Sequence, residues 1–229
     1  MKGLLSEQPV LLFTGSQKKS LLVSELHFGG CQFDLKVKLG RALLKEPISL
    51  FVPQSQPLPN TECYAQHLLD QSRRLILGLA GSTILLLDDK QLRQQLTSEL
   101  AAEFGLRVVH EKIISDVNGV VCCRWSWWLE HQHSLPKPDQ LIVAALPLAS
   151  IEEPLIAARV ESLKRQGRDW FRELLLPEAL TLLPQAVAPL RVNRGRIAIL
   201  DGRLRSRSWG EQFYQSLEPW TPLHRLLPS

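Results

Sequence analysis

The segment from Thr83 to His110 limits the fold most strongly, because it predicts a strand, a helix and a second strand in immediate succession. Thr83 to Leu87 is a short apolar run, typical of a buried strand. Gln91 to Phe104 places its leucines at helical spacing, Gly105 ends that helix, and Leu106 to His110 is again strand-like. These lengths predict a parallel crossover, which is right-handed in nearly all proteins.

Composition and charge describe a chain that can bury a core and carries a modest positive charge. The 229 residues are 45% apolar, and the formal net charge is +4. No apolar run reaches the roughly 18 residues that a membrane-spanning helix needs, and the N-terminus lacks the apolar centre of a signal peptide. We therefore expect a cytoplasmic protein with no membrane partner. The four cysteines show no C-x-x-C pairing, which favours buried thiols over disulfides or zinc ligands.

Basic residues are most concentrated in the segment 183–217, which holds six arginines and two acidic residues. Within it, Arg196 to Asp201 is a short apolar run between two glycines and predicts a buried strand. Arg203, Arg205 and Arg207 occupy alternate positions, so in an extended segment their side chains point the same way. The resulting basic stripe suits phosphates. The alternative is a solvated or protein-facing strip.

Three tryptophans, Trp125, Trp127 and Trp128, follow a strand predicted over residues 119–123. Proteins stack single-stranded nucleic acid on exposed aromatic faces beside arginine, and Arg124 precedes the first tryptophan. Trp127 and Trp128 are therefore candidates for a stacking platform. The alternative is that both rings pack beneath a loop.

Two further patterns suggest a metal or a nucleotide site and have simpler alternatives. Asp88 and Asp89 end a predicted strand, where carboxylates can hold the magnesium ion of a nucleotide complex, but either residue can also cap the helix that follows. Gly15 to Ser20 follows an apolar strand, as a phosphate-binding loop does, but Lys18 stands directly before Lys19, where the loop pattern requires a glycine. We expect the helix cap and an ordinary strand-to-helix turn.

The arginine-rich segment resembles the end of the DinG-like branch of superfamily 2 DNA helicases. In that family a glutamine opens the pattern Q-x-x-G-R-x-x-R, a loop ends in R-G, a strand of the type v-v-i-l-D-x-R follows, and the domain closes with Y-G-x-x-F-x-x-S-L-P. The matching residues here are Gln185, Arg194-Gly195, Ile197 to Asp201 with Arg203, and Trp209 to Leu217. Upstream, the family's strand ending in L-P, its P-x-d-P and its P-e-A are matched by Leu141 to Pro147, Ile151 to Leu155 and Pro177 to Leu180.

The chain departs from the family at two motifs and matches a third weakly. Ala188 and Pro189 occupy the places of the family's glycine and first arginine, and Arg191 falls one place before the second arginine. The pair Trp127-Trp128 fits the start of F-W-E-G-V-D, but no G-V-D follows. Thr14 to Ser16 lies where these helicases carry T-S-A-T, which couples the nucleotide site to the DNA track.

The resemblance implies an α/β fold with a mainly parallel sheet flanked by helices. This is the RecA-like fold of a second helicase domain, of the P-loop NTPase type but without a P-loop. It also implies that residues 1–229 form a single C-terminal helicase-like domain. Residues 1–26 then correspond to an edge segment equivalent to the end of the first motor domain.

The implied function is that of the C-terminal motor domain of an ATP-dependent DNA helicase, a hydrolase, with DNA binding and part of an interdomain site for ATP binding. ATP and Mg²⁺ are expected only if another chain, the expected protein partner, supplies a phosphate-loop domain. The alternative is a pseudo-helicase, a catalytically inactive binding or scaffold protein. No catalytic or metal-binding residue is expected. The expected nucleotide-binding residues are Gln185, Arg191 and Arg194, and the residues expected to bind single-stranded DNA are Thr14, Ser16, Trp127, Trp128, Arg203, Arg205 and Arg207.

Overall fold

The computed structural model describes residues 46–113 and 116–224, and these residues form a sheet of seven strands. In chain order the strands are β1 (Ile48–Phe51), β2 (Thr83–Leu86), β3 (Val108–His110), β4 (Val120–Cys123), β5 (Gln140–Val143), β6 (Arg196–Ile199) and β7 (Trp220–Pro222). Their order across the sheet is β3-β4-β2-β5-β6-β1-β7, and each neighbouring pair is parallel. The prediction of a mainly parallel sheet is confirmed.

Helices connect the strands and cover the sheet. They are α1 (Tyr64–Leu77), α2 (Lys90–Phe104), α3 (Trp125–His131), α4 (Pro154–Arg165), α5 (Leu176–Val192), α6 (Arg203–Ser206) and α7 (Gly210–Ser216). A π-helical turn, Phe171–Leu175, leads into α5. The predicted strand–helix–strand unit is present as β2, α2 and β3. Asp89 caps α2 by accepting a 2.7 Å hydrogen bond from the N–H of Leu92, as the simpler alternative predicted.

Two separate cores lie on the two faces of the sheet. In β5, Leu141 and Val143 pack with residues of α3, α5 and α7, while Ile142 and the following Ala144 pack with residues of α1 and α2. Because helices cover both faces, the central strands are apolar at nearly every position. The predicted α/β arrangement with helices on both faces is confirmed.

The strand order creates a crevice at the carboxyl ends of β2 and β5. The chain leaves β2 through α2, on one face of the sheet, and moves outward to β3. It leaves β5 toward β6 in the opposite direction, through α4 and then α5 on the other face. Adjacent parallel strands whose connections diverge in this way form the usual ligand-binding crevice of α/β proteins.

Candidate functional site at the carboxyl edge of the sheet

Asp88 follows β2 in this crevice, where solvent reaches its side chain. Its Oδ1 atom accepts a 3.0 Å hydrogen bond from the N–H of Trp125, at the beginning of α3. The protein around the crevice reduces the hydration of the carboxylate and raises the pKa of Asp88, and the charge of Glu153 acts in the same direction. The Trp125 N–H and the charges of Arg93 and Arg124 oppose that rise in pKa without cancelling it. Asp88 is thus an accessible carboxylate with incomplete charge compensation.

Arg93 joins the end of β2 to α2 from inside the protein. The residue is 3% exposed, and its Nη1 atom donates 2.7 Å hydrogen bonds to the carbonyls of Leu87 and Asp88. Nearby, Glu111 accepts two hydrogen bonds from the guanidinium of Arg124, at 2.8 and 3.2 Å. Partial burial opposes ionisation of Glu111, but these bonds outweigh it and lower the pKa. Within the described part of the chain, no group of three or more His, Cys, Asp or Glu side chains is arranged to hold a metal ion.

Asp201, a buried carboxylate at the carboxyl end of β6, forms an ion pair with the partly exposed Arg203. The Asp201 side chain is 0% exposed and accepts a 2.9 Å hydrogen bond from the N–H of Leu146, in the loop after β5. The same carboxylate accepts from the backbone N–H of Arg203 at 2.9 Å and from its Nη2 atom at 2.6 Å. The D-x-R pattern therefore connects two strand ends, and the charge of Arg203 is used inside the domain.

The closing pattern W-G-x-x-F packs α7 against α6. At Gly210 a Cβ atom would lie 1.9 Å from the carbonyl oxygen of Leu204, so only glycine permits this approach of the two helices. Phe213 and Leu217 are fully buried behind it. This part of the resemblance to the family is therefore a packing unit.

The predicted basic stripe of Arg203, Arg205 and Arg207 is wrong, because residues 203–206 form α6 and not an extended segment. The Asp201 carboxylate accepts a hydrogen bond from the backbone N–H of Arg203, at the start of α6. On a helix, side chains two positions apart point in nearly opposite directions. Arg205 donates to the carbonyl of Val52 at 3.1 Å, whereas Arg207 is exposed.

The predicted stacking platform of Trp127 and Trp128 is also wrong, because α3 turns both rings into the core. Trp128 is 0% exposed, and its Nε1 atom donates a 3.0 Å hydrogen bond to the carbonyl of Ala186 on α5. Trp127 is 9% exposed, and its ring stacks on that of His131 with centroids 4.4 Å apart. Neither ring offers a base a free face, so the packing alternative holds.

Arg191, predicted to bind the nucleotide, points inward from α5 and is 6% exposed, so its guanidinium is not accessible to a nucleotide in this structure. Nη1 donates to the carbonyls of Glu46 at 3.0 Å and Pro219 at 2.8 Å. Nη2 donates to the carbonyls of Leu217 and Glu218. Burial lowers the pKa of Arg191. A phosphate would have to displace these four carbonyls, which tie the C-terminal part of the domain to the start of β1.

The other face of α5, where the resemblance places two arginines, carries no charge at those positions. Pro189 is half-buried, and Val192, at the second arginine position, is 64% exposed. Gln185 is exposed on the same face, four and seven residues earlier. Arg194 follows the helix with an 81% exposed side chain, 3.8 Å from Glu46. Gln185 and Arg194 are accessible, and nucleotide binding by them stays a prediction.

Residues 1–45 lie outside the described part of the chain. They include Thr14, Ser16, the loop from Gly15 to Ser20 and the segment 1–26, so their predicted roles and the predicted domain boundaries stay predictions. Within residues 46–113 and 116–224, no helix is long and apolar enough to cross a membrane.

The interpretation of the sequence missed two polar anchors. Arg93 lies three and seven residues before Leu96 and Leu100, which places a cation on the buried face of α2, and this spacing was a usable signal. The Tyr64 hydroxyl donates to the carbonyl of Ala144 after β5. Burial raises the pKa of Tyr64, and Asp201 adds to the rise. A single tyrosine at the start of a helix gave no comparable signal.

Comparison with known proteins identifies relatives of this chain. Residues 137–220 match the helicase C-terminal domain family. The chain is 34% identical over 128 residues to the ATP-dependent DNA helicase YoaA of Haemophilus influenzae, a match that covers 55% of this chain and 20% of that protein. It is 27% identical over 183 residues to YoaA of Escherichia coli, covering 74% of this chain and 29% of that protein. The 3'-5' exonuclease DinG of Bacillus subtilis is 30% identical over 92 residues, 39% of this chain and 10% of that protein.

Proposed function

We propose that this chain, which contains a DinG-like helicase C-terminal domain with a RecA-like fold, acts as a helicase-derived module. The module binds single-stranded DNA, and it does not bring an arginine of α5 to ATP. The observation that carries the proposal is the orientation of α5, where Arg191 is bonded to carbonyls inside the domain and Val192 is exposed. The chain spans less than a third of each of the relatives described above.

The limits on ATP chemistry follow from what phosphoryl transfer requires. A motor hydrolyses ATP between a phosphate-binding loop and cations that neutralise the charge on the transferred group. The chain has no G-x-x-x-x-G-K-[ST] pattern, and Pro189 and Val192 replace the two arginines on α5. We infer that ATP and Mg²⁺ bind here only beside a phosphate-loop domain that another polypeptide provides.

DNA binding is supported by the positive charge of one segment and by the similarity of this chain to DNA helicases. Six basic residues and three acidic ones lie between residues 185 and 218. Each phosphate that such cations neutralise releases condensed counterion, which favours binding and makes it depend on salt. Two of the relatives are named ATP-dependent DNA helicases.

The first test measures DNA binding and ATP turnover on the same chain. A fluorescein-labelled oligothymidine should raise its anisotropy on binding, and the affinity should fall as salt increases. ATP turnover should equal that of a buffer blank, with or without the oligonucleotide. Turnover that disappears in a Lys19→Ala variant would overturn this proposal and identify the Gly15 to Ser20 loop as a nucleotide site.

A second candidate is a motor domain completed by a separate phosphate-loop domain, and the exposed guanidinium of Arg194 favours it. Mixed with the first motor domain of a DinG-like helicase, the chain should then stimulate DNA-dependent ATP turnover. Arg194→Gln should remove most of that stimulation, since an arginine that reaches the transferred phosphate contributes about 10³- to 10⁵-fold. Arg74→Gln, an exposed arginine at the end of α1, is the matched control. No stimulation by the wild-type chain would exclude this candidate.

A further inference from the structure

A row of aromatic rings lies beside the beginning of α5, on the face of the sheet that α5 covers. The ring centroids of Trp170 and Phe171 are 6.1 Å apart, those of Phe171 and Trp209 are 5.4 Å apart, and those of Trp209 and Phe213 are 5.6 Å apart. Phe213 is fully buried, whereas the other three rings are half-buried. The row is thus fixed in the core at one end and reaches the surface at Trp170.

The position of the row in the fold is also that of a ligand site. α5 runs back toward the start of β6, so its beginning lies at the carboxyl edge of the sheet. Trp209 follows β6 and α6 and therefore belongs to the same edge. Parallel sheets bind their ligands at this edge.

Basic side chains accompany the exposed end of the row. The Nζ atom of Lys164 lies 5.7 Å from the centroid of the Trp170 ring. Arg168 and Arg172 are 51% and 67% exposed on either side of Trp170 in the sequence, and Arg207 is exposed two residues before Trp209. Residues 159–173 hold five basic and three acidic residues, and residues 201–209 hold three basic residues and one acidic residue, Asp201, which pairs with Arg203.

The acidic neighbours do not remove this positive character. Arg168 pairs with Glu173, and Arg172 lies 3.6 Å from Asp169, and both pairs are solvent-exposed. Exposed ion pairs of this kind contribute little in water, so an incoming phosphate can replace the carboxylate at small cost. Both segments therefore keep an excess of positive charge.

We propose that the row of Trp170, Phe171 and Trp209 is a stacking surface for the bases of single-stranded DNA, with Lys164, Arg168, Arg172 and Arg207 as the cations for its phosphates. The inference rests on the DNA binding of the proposed function and names the surface that performs it. Single-stranded DNA fits because each nucleotide brings one aromatic face and one negative charge, which use both parts of the surface. Such contacts read no base sequence, so binding is tolerant of sequence.

The experiment compares two tryptophans and two ligands. Trp170→Leu removes the aromatic face and keeps an apolar side chain. Trp220→Leu is the control, since Trp220, in β7, is also half-buried and lies beside Tyr214 of α7. The ligands are labelled 15-residue oligothymidine and an abasic oligonucleotide of the same length. Trp170→Leu should weaken oligothymidine binding about 5- to 150-fold and leave binding of the abasic strand unchanged. Trp220→Leu should change neither, and Trp170→Tyr should restore part of the loss.

The arginines provide a second, independent measurement. Arg172→Gln combined with Arg207→Gln should lower the slope of log affinity against log salt by about 1.4, since each phosphate contact contributes about 0.7 for single strands. Arg74→Gln should leave the slope unchanged. Thermal unfolding of each variant shows whether the domain is still folded.

The outcomes separate this surface from the proposed function. If the wild-type chain binds no oligothymidine, DNA binding itself is refuted and the surface with it. If it binds and Trp170→Leu binds equally well, the surface is wrong and the proposed function stands. Equal weakening for the abasic strand would show that Trp170 does not stack bases. Displacement of oligothymidine by polyglutamate of equal charge at equal concentration would assign the surface to an acidic protein partner instead.

Discussion

Two aspartates, Asp88 and Asp201, follow buried parallel strands at the same edge of one sheet, yet they have different environments. Asp201 is 0% exposed and is held by Arg203 and by the N–H of Leu146. Asp88 is reached by solvent and accepts one hydrogen bond, from the N–H of Trp125. The first carboxylate is a completed structural pair, and the second is an accessible acid with a raised pKa.

The residues after each strand cause this difference. Gly202 follows Asp201, and a Cβ atom at Gly202 would lie 2.5 Å from the carbonyl oxygen of Pro57, so glycine permits the close approach of that segment. The next residue, Arg203, donates to the Asp201 carboxylate from its backbone and its side chain. Asp89 follows Asp88 and caps α2, and the cation of that helix, Arg93, donates to backbone carbonyls. Two similar strand endings thus differ in their result: one forms an internal ion pair, and the other leaves an accessible carboxylate in the crevice.

The largest effect is expected for Asp201→Ala. Removal of the carboxylate leaves Arg203 and the Leu146 N–H without their buried partner, and such a loss costs about 3–5 kcal/mol in the free energy of unfolding. Urea denaturation measures it. Asp201→Asn keeps an acceptor for the Leu146 N–H and should cost about half as much. A loss below about 1 kcal/mol for the alanine variant would show that the pair does not hold the two strand ends together.

Arg93→Met tests the crevice side and should have the next largest effect. The change leaves the carbonyls of Leu87 and Asp88 without their donor inside the protein, at a cost of about 2–3 kcal/mol. Arg124→Met is the control, because its half-exposed ion pair with Glu111 should contribute less than about 1 kcal/mol. Similar losses for both variants in urea denaturation would contradict the assignment of Arg93 as the anchor of β2.

The sequence predicted the fold well and the site poorly, for one physical reason. Apolar runs and helical spacing predicted β2, α2 and β3, because burial imposes a period that local sequence displays. The orientation of Arg191 depends on carbonyls at residues 217–219 and on Glu46, which are distant in sequence. Trp127 and Trp128 likewise have the residue type for stacking, but both pack into the core that includes residues of α5. Pattern predicts elements, but tertiary contacts decide which side chains remain free.

The smallest effect, and the one with the opposite sign, is expected for Asp88→Asn. The folded protein raises the pKa of Asp88, so between the ordinary value of about 4 and the raised value it holds more protons there than the unfolded chain does. Stability from this group is therefore present at low pH and is lost as the pH rises through the folded pKa.

Asparagine at position 88 can keep the hydrogen bond from the Trp125 N–H without ionising. The stability of the variant minus that of the wild type should be flat below about pH 4, increase between about pH 4 and the folded pKa, and level off above it. Glu111, whose pKa is lowered, contributes equally to both proteins. Asp89→Asn, which keeps an acceptor at the helix cap, is the control and should show no such rise. A difference that shrinks as the pH increases would mean that Asp88 is stabilised as an anion, and the contrast with Asp201 would disappear.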